Sequence, residues 1–253
     1  MNEQTRLYFL IGGLAFAFVL LAMVLFSARE EKMDLDEGMK GFQCGDEFVH
    51  EDDAYKTVKI GEQCWMAENL RTTVYRDGNE IPNPEIYGDW SEAEKGGWAC
   101  YQNKEENCEK YGALYNWYAV GSVHGLCPAG WEVPDSNQWA DMKRTVCENL
   151  GHENCEREFP YNGDVGWRGT EEGFHLMTKE AGGENTYGFS AQLSGFRNTN
   201  GPFSQLHERG FWWVPEKSSE GSAKAIFVEE GSKGIRIISS RKNSGMSVRC
   251  VSE

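Results

Sequence analysis

Residues 111–134 read YGALYNWYAVGSVHGLCPAGWEVP. Tyr111, Leu114, Tyr115 and Tyr118 recur at the spacing of one helical face and predict a helix over 109–120. A Cys-Pro-x-Gly-Trp turn at 127–131 and Val133-Pro134 then lead to a second helix opening at Asp135. Asp135 with Gln138 three residues on has the form of a capping box. Trp139, Met142 and Val146 follow on one face, which is expected to enter the core. The stretch specifies a fold and carries no visible chemistry.

Upstream, YKTVKIGEQCW (55–65) alternates Val58 and Ile60 with polar neighbours and breaks at Gly61. It predicts two short strands joined by a turn, the hairpin that opens the domain. Asp77-Gly78 and Pro82-Asn83-Pro84 are turn signals in the loop before the first helix. Downstream of Cys155 the chain is rich in Gly, Asn and aromatics, with strand-like pieces at 211–214, 225–229, 234–238 and 246–251. Two helices early and short strands late indicate an α+β domain. The 29 Gly and 9 Trp suggest many turns around a few large aromatic anchors. Adjacent Trp212 and Trp213 point to opposite faces of a strand, so one at most is expected in the core.

After a tail at 1–6, Leu7–Phe26 (LYFLIGGLAFAFVLLAMVLF) carries no charge and has the length of one bilayer crossing. Phe26-Ser27-Ala28 puts Phe where signal cleavage wants a small residue, so an uncleaved transmembrane anchor is expected. Residues 27–43 are charged and weakly periodic, as a tether is; the domain is expected over 44–253. Basic residues around the anchor are few (Arg6 before, Arg29 and Lys32 after) and lean toward a cytoplasmic C-terminal side. The cysteines overrule them. All eight lie beyond residue 43, their number is even, and none forms a C-x-x-C pair. That usage fits disulfides in an oxidising compartment better than zinc or a dithiol centre. Sequence alone leaves about a hundred pairings open.

The net charge of −15 speaks against nucleic acid and anionic lipid as partners and keeps an exported domain soluble. The five histidines show no H-E-x-x-H spacing, and no G-x-S-x-G elbow occurs. No catalytic residue, metal or cofactor is expected. Glu51-Asp52-Asp53 and Asp77-Gly78-Asn79-Glu80 offer oxygens, yet such loops are more often solvated turns.

Seven blocks carry a family resemblance, in order: TVKIGEQCWMAENLR (57–71), DGNEIPN (77–83), CEKYGALYNWYAV (108–120), LCPAGWEVPDSNQW (126–139), GFSAQLSGFRN (188–198), FWW (211–213) and SVRCV (247–251). Together they resemble the Fibrobacter succinogenes major paralogous domain, a family of bacterial envelope proteins. The resemblance implies a C-type-lectin-like fold, of the same broad architecture as formylglycine-generating enzymes. Its first and last strands meet, and irregular loops between helices and final strands form the binding face. Related domains carry a long-range bridge matching Cys127 to Cys250. Cys100 with Cys108 and Cys147 with Cys155 are close enough to staple local loops, and Cys44 and Cys64 remain. True C-type lectins hold calcium through motifs such as Glu-Pro-Asn. Here Ile81-Pro82-Asn83 puts Ile at the coordinating position.

The expectation is an envelope-anchored, non-catalytic module binding a glycan or envelope protein, with its domain periplasmic or extracellular. The membrane is engaged through the N-terminal helix, and oligomers are possible. The alternative is a structural subunit of a surface assembly. A formylglycine-type oxidase ranks third, because every cysteine has a plausible structural partner. Trp167, Trp212 and Trp213, in loop-rich segments, are the expected ligand contacts.

Overall fold

The computed structural model describes residues 41–85 and 90–252. The expected anchor at 7–26 and the tether up to residue 40 lie outside the described residues. Among the described residues no helix is long and apolar enough to cross a membrane.

Gln43–Glu253 forms one compact α+β unit. Strand β1 (Glu47–His50) pairs with β2 (Asp53–Ile60), and β2 pairs with β3 (Gln63–Met66) across a turn where Gly61 has φ 64°. The expected hairpin is therefore β2–β3, with Val58 opposite Trp65, but one strand precedes it. The last strand, β12 (Val251–Ser252), closes antiparallel on β3, placing Val251 opposite Trp65. The chain end thus meets the opening hairpin through its second strand.

The helix expected over 109–120 does not exist as one element. Helix α1 (Glu105–Tyr111) stops at Gly112; Leu114–Tyr115 is a strand, β5, paired with β4 (Trp98–Ala99); and α2 (Trp117–Val120) starts afresh. Gly112 has φ 78°, and a Cβ there would lie 2.5 Å from Asn69 Cβ, so the chain turns sharply against a packed neighbour. Asn116 then caps α2, its Oδ1 accepting from Ala119 N at 3.1 Å. All of 111–120 except Tyr118 is buried. When every face of a segment is enclosed, apolar spacing no longer reports a helix.

Helix α3 (Ser136–Asn149) forms as read. Asp135 Oδ1 accepts from Asn137 N and Gln138 N, both at 2.8 Å, and Gln138 Oε1 accepts from Asp135 N at 2.9 Å, completing the capping box. Trp139, Met142 and Val146 enter the main core beside Trp65, Phe189 and Trp212. Two short helices, α4 (Cys155–Glu158) and α5 (Glu172–Leu176), were not legible, so the described residues hold five α-helices rather than two.

The larger sheet contains β6 (Gly166–Arg168), β7 (Ser194–Arg197), β8 (Phe203–Leu206), β9 (Arg209–Lys217), β10 (Ser222–Glu229) and β11 (Ile235–Arg241), in the order β6-β11-β10-β9-β7-β8. All its pairings are antiparallel except β7 with β9. The expected final strand at 246–251 is mostly single bridges: Met246 to Tyr115 and Ser247 to Trp212 precede β12.

Four disulfides join Cys44–Cys64, Cys100–Cys108, Cys127–Cys250 and Cys147–Cys155, and no cysteine is free. This is the expected pairing, in which the family resemblance implied the long bridge, spacing suggested the two short ones, and Cys44 and Cys64 remained. Thiols so fully oxidised belong to an extracytoplasmic domain.

Candidate functional site

The three tryptophans expected at a ligand face separate. Trp212 and Trp213 are each 1% exposed. Alternation along β9 does send them to opposite faces, but both faces are covered. Trp212 faces the core, packed with Trp139 and Phe189, and its indole N–H donates to Asn69 Oδ1 at 2.8 Å. Trp213 lies under the segment around β5 and donates to the Tyr115 carbonyl at 2.7 Å. Neither ring is available to a ligand, and the expectation that one at most is buried is corrected: a central strand between two layers buries both sides. Trp90 is buried too, donating to the Asn243 carbonyl at 2.8 Å.

Trp167 is different. It lies on β6, an edge strand, and is 41% exposed. Tyr161 (53%) and Val165 (59%) belong to the same short run, and among the described residues only Val49 and Val123 are comparably exposed large apolar side chains. Tyr161 is held by Arg144, whose guanidinium carbon lies 4.1 Å from the ring centre, and its hydroxyl bonds Asp141 at 2.8 Å. Trp167 meets Phe227 edge-on at 5.5 Å. Tyr161 thus leans on α3 and Trp167 on the sheet, and both exposed rings are held by neighbours.

Cross-strand register places three side chains in one row there. Phe227 on β10 is opposite Arg236 on β11, and Arg236 is opposite Trp167 on β6. The Arg236 guanidinium stands 5.7 Å from the Trp167 ring centre and 5.8 Å from that of Phe227. Sequence reading identified Trp167 by its loop context. It missed Arg236, because a row across three strands has no signature along the chain.

A second polar centre is structural. Arg249, buried in the SVRCV block, donates from Nη2 to Asn69 Oδ1 at 2.8 Å and from Nη1 to the Phe189 carbonyl. Its guanidinium stacks 4.2 Å from the Phe189 ring centre. Desolvation pulls its pKa down to about 9. The same Asn69 donates to the Tyr111 carbonyl at 2.9 Å, so one amide joins the hairpin, α1, β9 and the chain end. A cleft of about 160 Å³ opens beside it, lined by Glu68, Arg71 and Gln192 among others.

Cys147, His152 and Glu172 bring one sulfur, one ring nitrogen and one carboxylate oxygen within 4.8 Å of each other. The sulfur is committed to Cys155, and a disulfide offers no thiolate to a metal. Glu172 is buried and already accepts from Thr170 N at 2.7 Å and Glu171 N at 3.1 Å. The acidic loops are likewise engaged: Asp53 pairs with Arg71 at 2.7 Å, and Asp77 with His124 at 2.5 Å.

In comparison with known proteins, residues 58–252 match the Fibrobacter succinogenes major domain. No curated protein and no solved structure matches the chain.

Proposed function

The chain belongs to the Fibrobacter succinogenes major domain family, and from that premise we propose that its extracytoplasmic domain is a non-catalytic binding module for a glycan of the bacterial envelope or its surroundings. The module works as a C-type-lectin-like domain, a reading supported by the closure of β12 on β3 and by the Cys127–Cys250 bridge. The uncharged run at 7–26 anchors it to the membrane, with the domain on the oxidising side.

The observation that carries the reading is the exposed Trp167 on an edge strand, with Tyr161 and Val165 exposed just before it in the chain. An exposed indole on an ordered strand offers a flat face for stacking on a sugar ring, at little conformational cost. The test is a glycan array with residues 44–253, repeated with Trp167→Ala, with melting temperatures recorded for both. The reading expects glycan binding that Trp167→Ala removes while the melting temperature stays put. Failure to bind any glycan, alongside a stable oligomer that hides Trp167, would replace it with the assembly-subunit role.

A further inference from the structure

We propose that the glycan is acidic: Trp167 stacks on a sugar ring while Arg236 binds a carboxylate or sulfate that the sugar carries. The inference rests on the proposed glycan-binding role and adds the ligand's chemical class.

Two guanidinium groups flank the Phe227 ring, and they differ in one respect. Arg209, 5.3 Å from that ring centre, is paired with Glu229 at 2.7 Å. Arg236 has no carboxylate within ion-pair distance among the described residues, is exposed, and stands beside the one half-exposed indole of the sheet. Its aromatic neighbours hold the planar fork in place without consuming its five N–H donors. A preoriented, unpaired guanidinium next to an open indole suits a pyranose bearing an anionic group, with one contact for the ring and a bidentate contact for the charge.

Further cations lie on the opposite, core-facing side of the sheet, since Arg168 is opposite Ile235 and Lys224 is two residues from Ile226. Arg168, next to Trp167 on β6, has its Nε buried with no hydrogen-bond partner. Lys224 reaches only the Gly163 carbonyl, at 3.5 Å. Arg168, Arg144 and Lys224 all act on the buried Lys143 as like charges. Around this edge Arg144 pairs with Asp141 at 3.8 Å, Arg209 with Glu229 at 2.7 Å and Lys233 with Glu171 at 3.0 Å, whereas Arg236 has no such partner among the described residues. Carboxylates stand close by as well: Glu158 accepts from Gly169 N at 2.7 Å and the buried Glu172 from Thr170 N at 2.7 Å. In a chain of net charge −15, the unpaired Arg236 beside Trp167 is a local exception to the global field. The Debye length of about 8 Å at physiological salt lets the local charges decide what binds there.

Affinity gel electrophoresis of residues 44–253 against polygalacturonate, alginate and chondroitin sulfate, with fully methyl-esterified galacturonan as the neutral twin, tests the class. The expected result is retardation by at least one acidic polymer, weakening as NaCl is added, and little by the esterified one. Arg236→Gln should lower affinity by roughly ten- to a hundredfold, the loss of one charge-assisted contact, and Trp167→Ala should abolish retardation. If the wild type binds neutral glycans as well as acidic ones, or Arg236→Gln binds like wild type, the acidic class is wrong while the Trp167 platform stands. If an array ligand is neutral and none of the three acidic polymers binds, the class is again overturned. Binding that survives Trp167→Ala overturns the platform itself, and with it the inference.

Discussion

Asn69 and Arg249, 180 residues apart in sequence, meet in the interior, where a single atom, Asn69 Oδ1, accepts from Arg249 Nη2 at 2.8 Å and Nε at 3.2 Å. The same oxygen accepts the Trp212 indole N–H at 2.8 Å. A buried cation with only neutral acceptors depends on keeping every one of them. Asn69→Ala therefore removes the acceptor of three buried N–H donors, and the expected loss is about 3–5 kcal/mol in urea unfolding. A loss below about 1 kcal/mol would show that the guanidinium finds water or another carbonyl instead.

The tryptophans sort by burial. Trp212→Ala and Trp213→Ala each leave a cavity and remove one buried hydrogen bond, with an expected loss of about 3–5 kcal/mol. Trp167→Ala, at an exposed edge, is expected to stay within about 1 kcal/mol of wild type. Thermal melts of the three variants separate the classes. Equal destabilisation by Trp167→Ala would place its ring in the core and remove the proposed face.

The four disulfides are unequal in leverage. Cys127–Cys250 links residues 123 apart, whereas Cys100–Cys108 and Cys147–Cys155 each link residues 8 apart. Loop-closure entropy assigns the long bridge about 5 kcal/mol and each short one nearer 3 kcal/mol. Paired Cys→Ser variants, compared by denaturation midpoint, are expected to lose most stability at 127 and 250. The opposite ranking would show that strain or local packing, and not chain entropy, governs these bridges.

Lys143 makes stability depend on pH. Burial, reinforced by the like charges of Arg168 and Arg144, lowers its pKa to about 7, against about 10.4 in an unfolded chain. Between those values the unfolded state holds a proton that the folded state has released, so this group's contribution to stability rises with pH. Below pH 7 both states are protonated and the folded chain carries the full burden of a buried ammonium. Lys143→Met, which keeps the volume, is expected to stabilise the domain by about 1–4 kcal/mol at pH 6. That gain should shrink as the pH approaches 10. A gain independent of pH would mean the charge is not its source.

The sequence by itself determined the local and the covalent. The capping box at Asp135 and Gln138 and the turn at Gly61 are set by neighbours a few residues away, and both formed as read. Family blocks from 57 to 251, and not spacing alone, implied the cysteine pairing. What tertiary structure decided is which surfaces face solvent. The run 111–120 has helical spacing yet divides into helix, strand and helix, because Gly112 turns against Asn69, a neighbour 43 residues earlier in the chain, and Asn116 caps a new helix. Trp212 and Trp213 alternate as strand residues do, but whether a second face is covered depends on a distant layer, here the segment around β5. Arg236 became part of a candidate site only when strand register set it between Phe227 and Trp167. Burial and register are pairwise properties of residues far apart in the chain, whereas capping and turn chemistry are complete within four or five residues.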